Sequence, residues 1–393
     1  REFKFTGDIY AVKEGTPVFP HEPLLTVRAP AIEAQLVETY LLLMLNHQSL
    51  IATKANRIVR AANGRAISEF GSRRAQGADG AVLGARAAYI AGCTGTACTL
   101  TDKEYGVPAT GTMAHSWIQM FDDEYTAFKT YCEIYPHGAT LLVDTYNVLK
   151  SGVPNAIRAF KEVLWPKGIK SCAIRLDSGD ITYLSKRARQ MLDEAGLTDC
   201  KIIASNSLDE NIIRDILHQG ATVDAFGVGE RLITSKSDPV FGGVYKLAAI
   251  EKEDGTIVPK IKISENAAKI TNPHFKKVYR LYENKSGKAI ADLICVHDEV
   301  IDPTQPLEIF DPDYTWKRET LTDFTAEELL IPIFKNGTCV YESPSVDEIR
   351  DYCAKQIDLQ WDEVKRFENP HNYYVDLSQK LWDIKQQLLA KKR

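Results

Sequence analysis

The sequence of 393 residues predicts an α/β protein that contains a parallel sheet or barrel together with an antiparallel β domain. The first observation is a strand-then-helix repeat: "TLLVDTYN" (140–147), "SCAIRLDSGD" (171–180) and "KIIASNSLDE" (201–210) each precede a helix-like segment, and "VDAFGVGE" (223–230) follows. Successive starts lie roughly 30 residues apart, which is the size of one βα unit. Each strand is a continuous apolar run, as is typical of parallel strands that are covered on both faces.

The second observation is that strand-like alternation occurs at both ends of the chain. Residues 2–28 alternate apolar and polar side chains between turn signals, and 244–264 and 277–299 each read as a hairpin with a Gly-containing turn. These segments predict an antiparallel domain in which N- and C-terminal strands pair. The predicted domains are 1–30 with 244–345 (antiparallel β), 31–243 (barrel-like α/β, catalytic) and 346–393 (a helical tail).

Between these regions, the stretch from Pro30 to about Ala62 predicts one long helix. Its middle, "YLLLMLNHQSLIATKA", is apolar on most sides, so we expect the helix to be buried. The apolar residues near helical spacing are Ile32, Leu36, Tyr40, Leu43 and Leu50.

Composition excludes several classes of function. The formal net charge is −5 and the pI is about 6.0, so no global basic field points to nucleic acid or to an anionic membrane. The 8 cysteines form no CxxC pair and no zinc set, which indicates a reduced, cytoplasmic protein. We find neither a membrane-spanning run nor a signal peptide. The chain starts at Arg1, directly before a strand-like stretch, so we expect residues to be missing from its front.

Polar residues follow each predicted parallel strand, where the functional edge of such a sheet lies. Carboxylates there suit ribose hydroxyls or magnesium, and donors with bare glycine amides suit phosphate, so the pattern predicts a site for a phosphorylated sugar. The candidates are Asp144; Arg175, Asp177, Ser178, Gly179 and Asp180; Ser205, Asn206 and Asp209; and Gly227 and Gly229.

Structural alternatives remain for several of these residues. Asp180 and Asp209 stand directly before helices, so helix capping explains either one alone better than a binding role does. Asp144 alone is explained by a buried acid that pairs with an arginine. The "GVG" sequence by itself indicates only a tight turn.

Two further motifs carry candidate residues. In "FGSRRAQGADG" (70–80), Phe70 offers a plate for a flat ring and Arg73 a cation for pyrophosphate or carboxylate, or else the stretch is a solvated turn. In "GTMAHSWIQM" (111–120), His115 has no second histidine nearby to complete a metal site. From the residues alone, a structural histidine explains it better than a chemical role does.

These motifs together resemble those of the nicotinate phosphoribosyltransferases, of the type II phosphoribosyltransferase family, and more distantly those of the related nicotinamide enzymes. The resemblance runs from about Thr6 to Leu247. It rests on "FGSRRAQG", "GTMAHSW", "LLVDTYN", "RLDSGD", "SNSLDE", "FGVGERLITS" and "GGVYKL", in this order. It implies an irregular parallel β/α barrel with an antiparallel β domain built from N- and C-terminal segments.

The resemblance also implies an ATP-coupled pentosyltransferase. Such an enzyme joins nicotinate to 5-phosphoribosyl-1-pyrophosphate with Mg²⁺, and ATP transiently phosphorylates the histidine of the "AHS" motif, here His115. A carboxylate next to the other ring nitrogen would fix the tautomer and stabilise the charge that develops on the ring. By the motif match, Asp144 is the first candidate for this carboxylate and Asp177 the second. The family further implies a homodimer with shared active sites and a longer N-terminal part.

The family's binding roles transfer to matching positions. Phe70 is expected to stack on the pyridine ring and Arg73 to contact pyrophosphate or nicotinate. The resemblance places Arg175 and Asp177 on the floor of the site, Ser205 and Asn206 at the ribose or its phosphate, and Gly227, Gly229 and Glu230 around that phosphate. The remaining expected substrate contacts are Thr112, Ser116, Ser178 and Gly179, and the expected magnesium ligands are Asp177 and Asp180.

Three alternatives to this function stay open at the level of sequence. A nicotinamide phosphoribosyltransferase would prefer an amide to a carboxylate. A quinolinate phosphoribosyltransferase would decarboxylate its substrate and would not need the histidine. A non-catalytic phosphosugar-binding protein would use the same residues without turnover.

Overall fold

The computed structural model describes residues 3–266 and 269–391. The chain divides into two compact units: one combines the chain up to Met44 with the chain from Gly242 onward, and the other is Leu45–Phe241. Among the described residues, no helix combines the length and the apolarity that crossing a membrane requires.

The strands, numbered in chain order within the described residues, are β1 Asp8–Val12, β2 Leu25–Arg28, β3 Ala66–Glu69, β4 Gly95–Thr96, β5 Thr140–Leu142, β6 Ala173–Leu176, β7 Lys201–Asn206, β8 Ala225–Val228, β9 Ala249–Glu251, β10 Ile257–Pro259, β11 Lys276–Glu283, β12 Ala289–Val296, β13 Leu307–Phe310, β14 Arg318–Leu321, β15 Phe324–Glu328, β16 Leu330–Lys335, β17 Thr338–Cys339 and β18 Tyr374–Leu377.

The helices of the same residues are α1 Ala31–Leu36, α2 Glu38–Ala61, α3 Ala78–Ile90, α4 Thr99–Tyr105, α5 His115–Gln119, α6 Glu124–Ile134, α7 Val153–Ala159, α8 Ile181–Glu194, α9 Glu210–His218, α10 Glu230–Ile233, α11 Val346–Asp358 and α12 Gln379–Ala390. Short 3-10 turns cover Ser72–Arg74 and Trp165–Lys167, and π-helical turns cover Val148–Gly152 and Phe160–Leu164.

The central unit is built on one parallel sheet with the strand order β4-β3-β8-β7-β6-β5. The sheet curls into a half-barrel and helices follow its strands, which confirms the predicted irregular parallel β/α barrel. Its strands are apolar because both faces are covered: Ile174, Ile202 and Phe226 are fully or almost fully buried. Parallel pairing brings the carboxyl ends of these strands to one edge.

The other unit holds the antiparallel sheets. β1 pairs with β2 and with β16, so strands from the two ends of the chain share one sheet, as predicted. The hairpins β9–β10 and β11–β12 form where the Gly-containing turns predicted them. The sheet with the strand order β15-β11-β12-β18 packs on an apolar core, in which Leu281 and Leu293 are buried.

Two expectations about helices need correction. The predicted single helix is two, α1 and α2, which are separated by a turn at Val37, although the sequence carries neither Pro nor Gly there. The expected burial is wrong for the first half, where Ile32 is 76% and Leu43 59% exposed, and holds around Ile51 and Ile58. An apolar sequence pattern indicates which side chains favour burial but not what covers them.

The C-terminal segment 346–393 also contains a strand, although the sequence predicted a helical segment there. β18, which lies between α11 and α12 in the chain, pairs in parallel with β12. Val375 and Leu377 lie among the apolar side chains beside β12, so the short "YVDL" segment gains sheet hydrogen bonds and apolar burial together.

Candidate active site

The candidate site lies at the carboxyl edge of the parallel sheet. Leu142, the last residue of β5, pairs with Arg175 of β6, and Ser205 of β7 pairs with Gly227 of β8. Asp177 directly follows β6, and Asp144 lies two residues after the end of β5. The sequence argument from strand ends therefore locates side chains that the fold brings together.

Arg175 is the centre of this cluster. Its guanidinium donates hydrogen bonds to Ser205 Oγ at 2.7 Å, to Thr112 Oγ1 at 2.8 Å and to Asp177 Oδ1 at 2.6 Å. Only 17% of its side chain is exposed, so water competes little for these bonds. The planar fork of donors fixes three side chains from separate parts of the chain in one arrangement.

The Asp177 carboxylate is held in its ionised form. Burial alone would raise its pKa, but the hydrogen bond from Ser205 and the charge of Arg175 outweigh this and lower the pKa of Asp177 below its ordinary value. Asp177 therefore carries a full negative charge at neutral pH, as a contact for ribose hydroxyls or a cation requires.

His115 begins α5 and contacts two groups of the site. Its Nδ1 lies 3.1 Å from Thr145 Oγ1, and its Nε2 lies 3.7 Å from Asp177 Oδ2. Between the two expected carboxylate partners, the structure thus places Asp177, the second choice, beside the imidazole. The contact to Thr145 was not predicted, because a threonine hydroxyl 30 residues away in sequence carries no distinguishing signal.

Asp144 lies beneath the loop that follows β6. Its Oδ2 accepts hydrogen bonds from Asp177 N at 3.2 Å and from Ser178 Oγ at 2.5 Å, while its Oδ1 is buried and has no hydrogen-bond partner among the described residues. Gly179 continues this loop in a left-handed conformation, with φ of +82°, which favours glycine. In this structure Asp144 shapes the Asp177 loop and does not contact the imidazole.

Phe70 lies directly on the edge of the sheet. A Cβ placed on Gly227 would lie 2.5 Å from Phe70 Cδ2, so the ring occupies the space that any side chain at position 227 would need. Phe70 N donates to Val228 O at 2.8 Å, and the Arg175 guanidinium lies 5.8 Å from the ring centroid. Arg73 follows in an exposed 3-10 turn.

Two candidate aspartates take the capping positions that the sequence allowed. Asp180 Oδ1 accepts from Tyr183 N at 2.9 Å and begins α8. Asp209 Oδ1 accepts from the first turn of α9, and its other oxygen pairs with Arg231. Capping accounts fully for Asp209, whereas Asp180 stands within three residues of Asp177 and belongs to the same loop.

The remaining candidates surround the cluster. Gly229 precedes α10, whose first residue, Glu230, pairs with Lys236 at 3.2 Å. Asn206 ends β7 and is exposed, and Ser116 is exposed in the first turn of α5.

Comparisons with known proteins identify the family of this chain. The model of the nicotinate phosphoribosyltransferase (NAPRTase) family matches residues 65–280, and the models of the N-terminal and C-terminal domains of these enzymes match 1–46 and 275–385. The nicotinate phosphoribosyltransferase of Bacillus subtilis is 46% identical over 378 residues, which cover 96% of this chain and 76% of that protein.

Solved structures show the same fold. The human nicotinic acid phosphoribosyltransferase superposes with a TM-score of 0.84 at 26% identity and covers 98% of this chain and 83% of its own. A nicotinate-nucleotide pyrophosphorylase from Pyrococcus furiosus gives 0.68 at 27% identity, with 91% and 82% covered. The fold and the relatives together define a pentosyltransferase. The chain belongs to the nicotinate phosphoribosyltransferase family.

Proposed function

We propose that this protein transfers the phosphoribosyl group of 5-phosphoribosyl-1-pyrophosphate to nicotinate, which yields nicotinate mononucleotide and pyrophosphate in NAD salvage. We also propose that it couples this transfer to ATP hydrolysis through phosphohistidine at His115. Family membership supports the transferase activity. The observation that carries the site assignment is the cluster in which Arg175 fixes an ionised Asp177 beside the imidazole.

Phe70 and Arg73 are the proposed contacts for the base. The flat face of a pyridine ring stacks well on an aromatic ring that is itself held against the sheet, as Phe70 is by Gly227. Arg73 is exposed in the adjoining turn, where its guanidinium suits the carboxylate of nicotinate or the leaving pyrophosphate.

The phosphoribosyl group belongs over the carboxyl edge of the sheet. Asp177, with Asn206, suits the ribose hydroxyls, and the backbone N–H groups at Gly227 and Gly229 suit the 5′-phosphate, next to Glu230. Breaking the glycosidic bond develops positive charge at the anomeric carbon and negative charge on the pyrophosphate oxygen. In this proposal the Asp177 carboxylate stabilises the positive charge and the Arg175 guanidinium the negative charge, and the pyridine nitrogen then bonds to the anomeric carbon.

His115 is the proposed phosphoryl acceptor. A neutral imidazole nitrogen attacks the γ-phosphorus of ATP, the bond to the bridging oxygen breaks, and ADP leaves; water later attacks the phosphorus, releases phosphate and restores the imidazole. Thr145 and Asp177 contact the two ring nitrogens and thereby orient the ring. The negative charge of Asp177 stabilises the positive charge that develops on the ring during attack.

Magnesium is the proposed metal, with Asp177 and Asp180 as its protein ligands. Among the described residues, no group of three or more His, Cys, Asp or Glu side chains is placed to hold a metal ion alone. Mg²⁺ commonly takes one or two carboxylates and obtains its other ligands from substrate phosphates and water, so this donor set fits. When bound, it would neutralise charge on the pyrophosphate. We further propose a homodimer with shared active sites.

A substrate panel tests the proposed function. Purified protein is incubated with 5-phosphoribosyl-1-pyrophosphate, Mg²⁺ and ATP together with nicotinate, nicotinamide or quinolinate, and the products are separated by chromatography. We expect nicotinate mononucleotide with nicotinate only, and faster formation when ATP is present. Preference for nicotinamide, carbon dioxide release from quinolinate, or tight 5-phosphoribosyl-1-pyrophosphate binding without any product would each contradict the proposal and support one alternative.

A further inference from the structure

Glu69, the last residue of β3, is a fully buried carboxylate beside the candidate site. One oxygen, Oε2, accepts a hydrogen bond from Thr96 Oγ1 at 2.6 Å, and the other, Oε1, accepts one from the backbone N–H of Gly71. A buried carboxylate costs folding free energy, and here burial raises the pKa of Glu69 against the two hydrogen bonds. Its two bonds join the turn after β3, the first loop, to the end of β4, which continues into the second loop.

The first loop carries the proposed base contacts. Gly71 directly follows Phe70, and its carbonyl accepts from Arg74 N at 2.7 Å to close the turn that contains Arg73. A Cβ on Gly71 would lie 2.7 Å from Glu69 Oε1 and equally close to Gly229 O. The carboxylate therefore lies against this turn so tightly that only glycine fits between them.

The second loop leads to the proposed phosphoryl acceptor. Thr96 pairs through its backbone with the stretch 108–110: its N–H donates to Pro108 O at 3.0 Å and its carbonyl accepts from Thr110 N at 2.8 Å. The chain then continues to Thr112, which binds Arg175, and to His115. Glu69 thus connects the Phe70 turn to the segment that leads to the imidazole.

The hydrogen-bond inventory favours a carboxylate at this position. Thr96 Oγ1 accepts from Cys98 N at 2.9 Å, so its single hydroxyl hydrogen is available for Glu69. Gly71 N–H is a donor as well, so Glu69 faces two donors with two acceptor oxygens. Glutamine would offer one oxygen to Gly71 N–H and an NH₂ group to Thr96 Oγ1, so the buried Thr96 hydroxyl hydrogen would lose its acceptor.

We propose that Glu69 is a positioning residue that sets the base-binding turn, Phe70 to Arg73, relative to the segment that carries Thr112 and His115. The inference rests on the proposed function for the identity of the base and the phosphoryl acceptor. Glu69 acts through Gly71 and Thr96, so its replacement changes where those residues lie and not the chemistry of the site.

Steady-state kinetics of E69Q, T96V and T96S test this role. We expect E69Q to raise the KM for nicotinate about tenfold or more, because the loop that carries the base contacts loses the support of a buried hydrogen bond. The KM for 5-phosphoribosyl-1-pyrophosphate should stay nearly unchanged. T96V removes the hydroxyl that joins Glu69 to the segment leading to His115. We therefore expect T96V to lower the amount of nicotinate mononucleotide formed per ATP hydrolysed. T96S keeps the hydroxyl and should behave as the wild type.

E210Q is the matched control. Glu210 is also a buried carboxylate of the same unit, but it pairs with Lys54 at 2.7 Å on the helices α2 and α9. We expect E210Q to lower the thermal midpoint without a selective change in the nicotinate KM. If E69Q lowers stability like E210Q and leaves the KM for nicotinate unchanged, Glu69 has only a structural role and the inference is wrong.

Amide hydrogen exchange separates this inference from the proposed function. We expect E69Q to speed exchange in a peptide that covers the Gly71 turn but not in one that covers β6, whichever substrate the enzyme uses. A wild type that makes no nicotinate mononucleotide would overturn the proposed function alone. Unchanged exchange at the Gly71 turn would overturn the inference, and T96V provides the same readout if E69Q does not fold.

Discussion

The imidazole of His115 and the carboxylate of Asp177 face each other, with 3.7 Å between Nε2 and Oδ2. The other oxygen of the same carboxylate accepts a hydrogen bond from Arg175 at 2.6 Å. One side chain therefore joins the proposed phosphoryl acceptor to the proposed phosphoribosyl site. A phosphoryl group on His115 would add negative charge next to Asp177, which gives ATP a direct physical route to alter affinity for 5-phosphoribosyl-1-pyrophosphate.

Asp177→Asn is expected to cost far more activity than Asp180→Asn. Asparagine at 177 removes the charge that Arg175 and His115 face, and we expect kcat/KM to fall about 100-fold or more. Asparagine at 180 is still a good helix cap, so α8 remains intact and the loss stays smaller. Initial rates with thermal midpoints as a folding control check this, and equal losses would mean that the magnesium or ribose contact is misplaced.

Gly227→Ala is expected to displace the Phe70 ring, since the added methyl would lie 2.5 Å from it. Overpacking of this kind costs about 1–3 kcal/mol of stability, and the KM for nicotinate should rise. Gly242→Ala serves as the control, because no atom of the described residues lies within 4 Å of a Cβ placed there. Wild-type affinity for nicotinate in a folded Gly227→Ala variant would show that Phe70 does not hold the base.

Arg175→Lys keeps the positive charge but loses the planar fork. One ammonium group cannot reproduce bonds to Ser205, Thr112 and Asp177 together, so we expect transition-state stabilisation to fall by about 2–3 kcal/mol. The measurement is kcat/KM for 5-phosphoribosyl-1-pyrophosphate at several salt concentrations. A lysine variant within about twofold of the wild type would mean that charge alone suffices, contrary to the geometric role.

Asp376 is expected to make stability depend on pH. Its burial in β18, with a smaller effect of the Asp311 carboxylate, raises its pKa from 3.8 to about 6. A raised pKa means that the stabilising contribution of the protonated form is complete below about pH 4 and is lost as the pH rises through about 6. The difference corresponds to at most about 3 kcal/mol.

Asp376→Asn isolates this effect, because the amide has nearly the same shape and does not ionise. The variant should unfold at higher temperature than the wild type at pH 7.5 and at nearly the same temperature at pH 4. Thermal unfolding at both pH values provides the comparison. A stability difference that does not change with pH would contradict the raised pKa.

The sequence predicted most of what positions the site. Continuous apolar runs that end in polar residues indicate β5 to β8, and parallel pairing necessarily gathers their carboxyl ends, so the sequence alone indicates Asp177, Arg175 and Ser205 as neighbours. Capping of α8 and α9 by Asp180 and Asp209 was also identified as a possibility and is confirmed.

Contacts that depend on three-dimensional packing could not be predicted in the same way. Asp144 and Asp177 both follow strands, and only the folded loops reveal that Asp177 faces His115 while Asp144 binds Ser178. The carboxylate of Glu69 at a strand end resembles a solvated acid in the sequence, although the fold buries it completely. Local pattern identifies candidate groups, whereas partners far apart in sequence are set by packing.

The most direct measurement is incubation of the protein with γ-labelled ATP, followed by acid and base stability tests of labelled protein and peptide mapping. We expect base-stable, acid-labile label on the peptide that contains His115, and no label in His115→Ala, which should also lose ATPase activity yet keep slow, uncoupled nucleotide formation. His137→Ala, an exposed histidine that precedes β5, should label normally. Absence of label from active enzyme, or label elsewhere with ATPase unchanged in His115→Ala, would contradict the phosphohistidine mechanism.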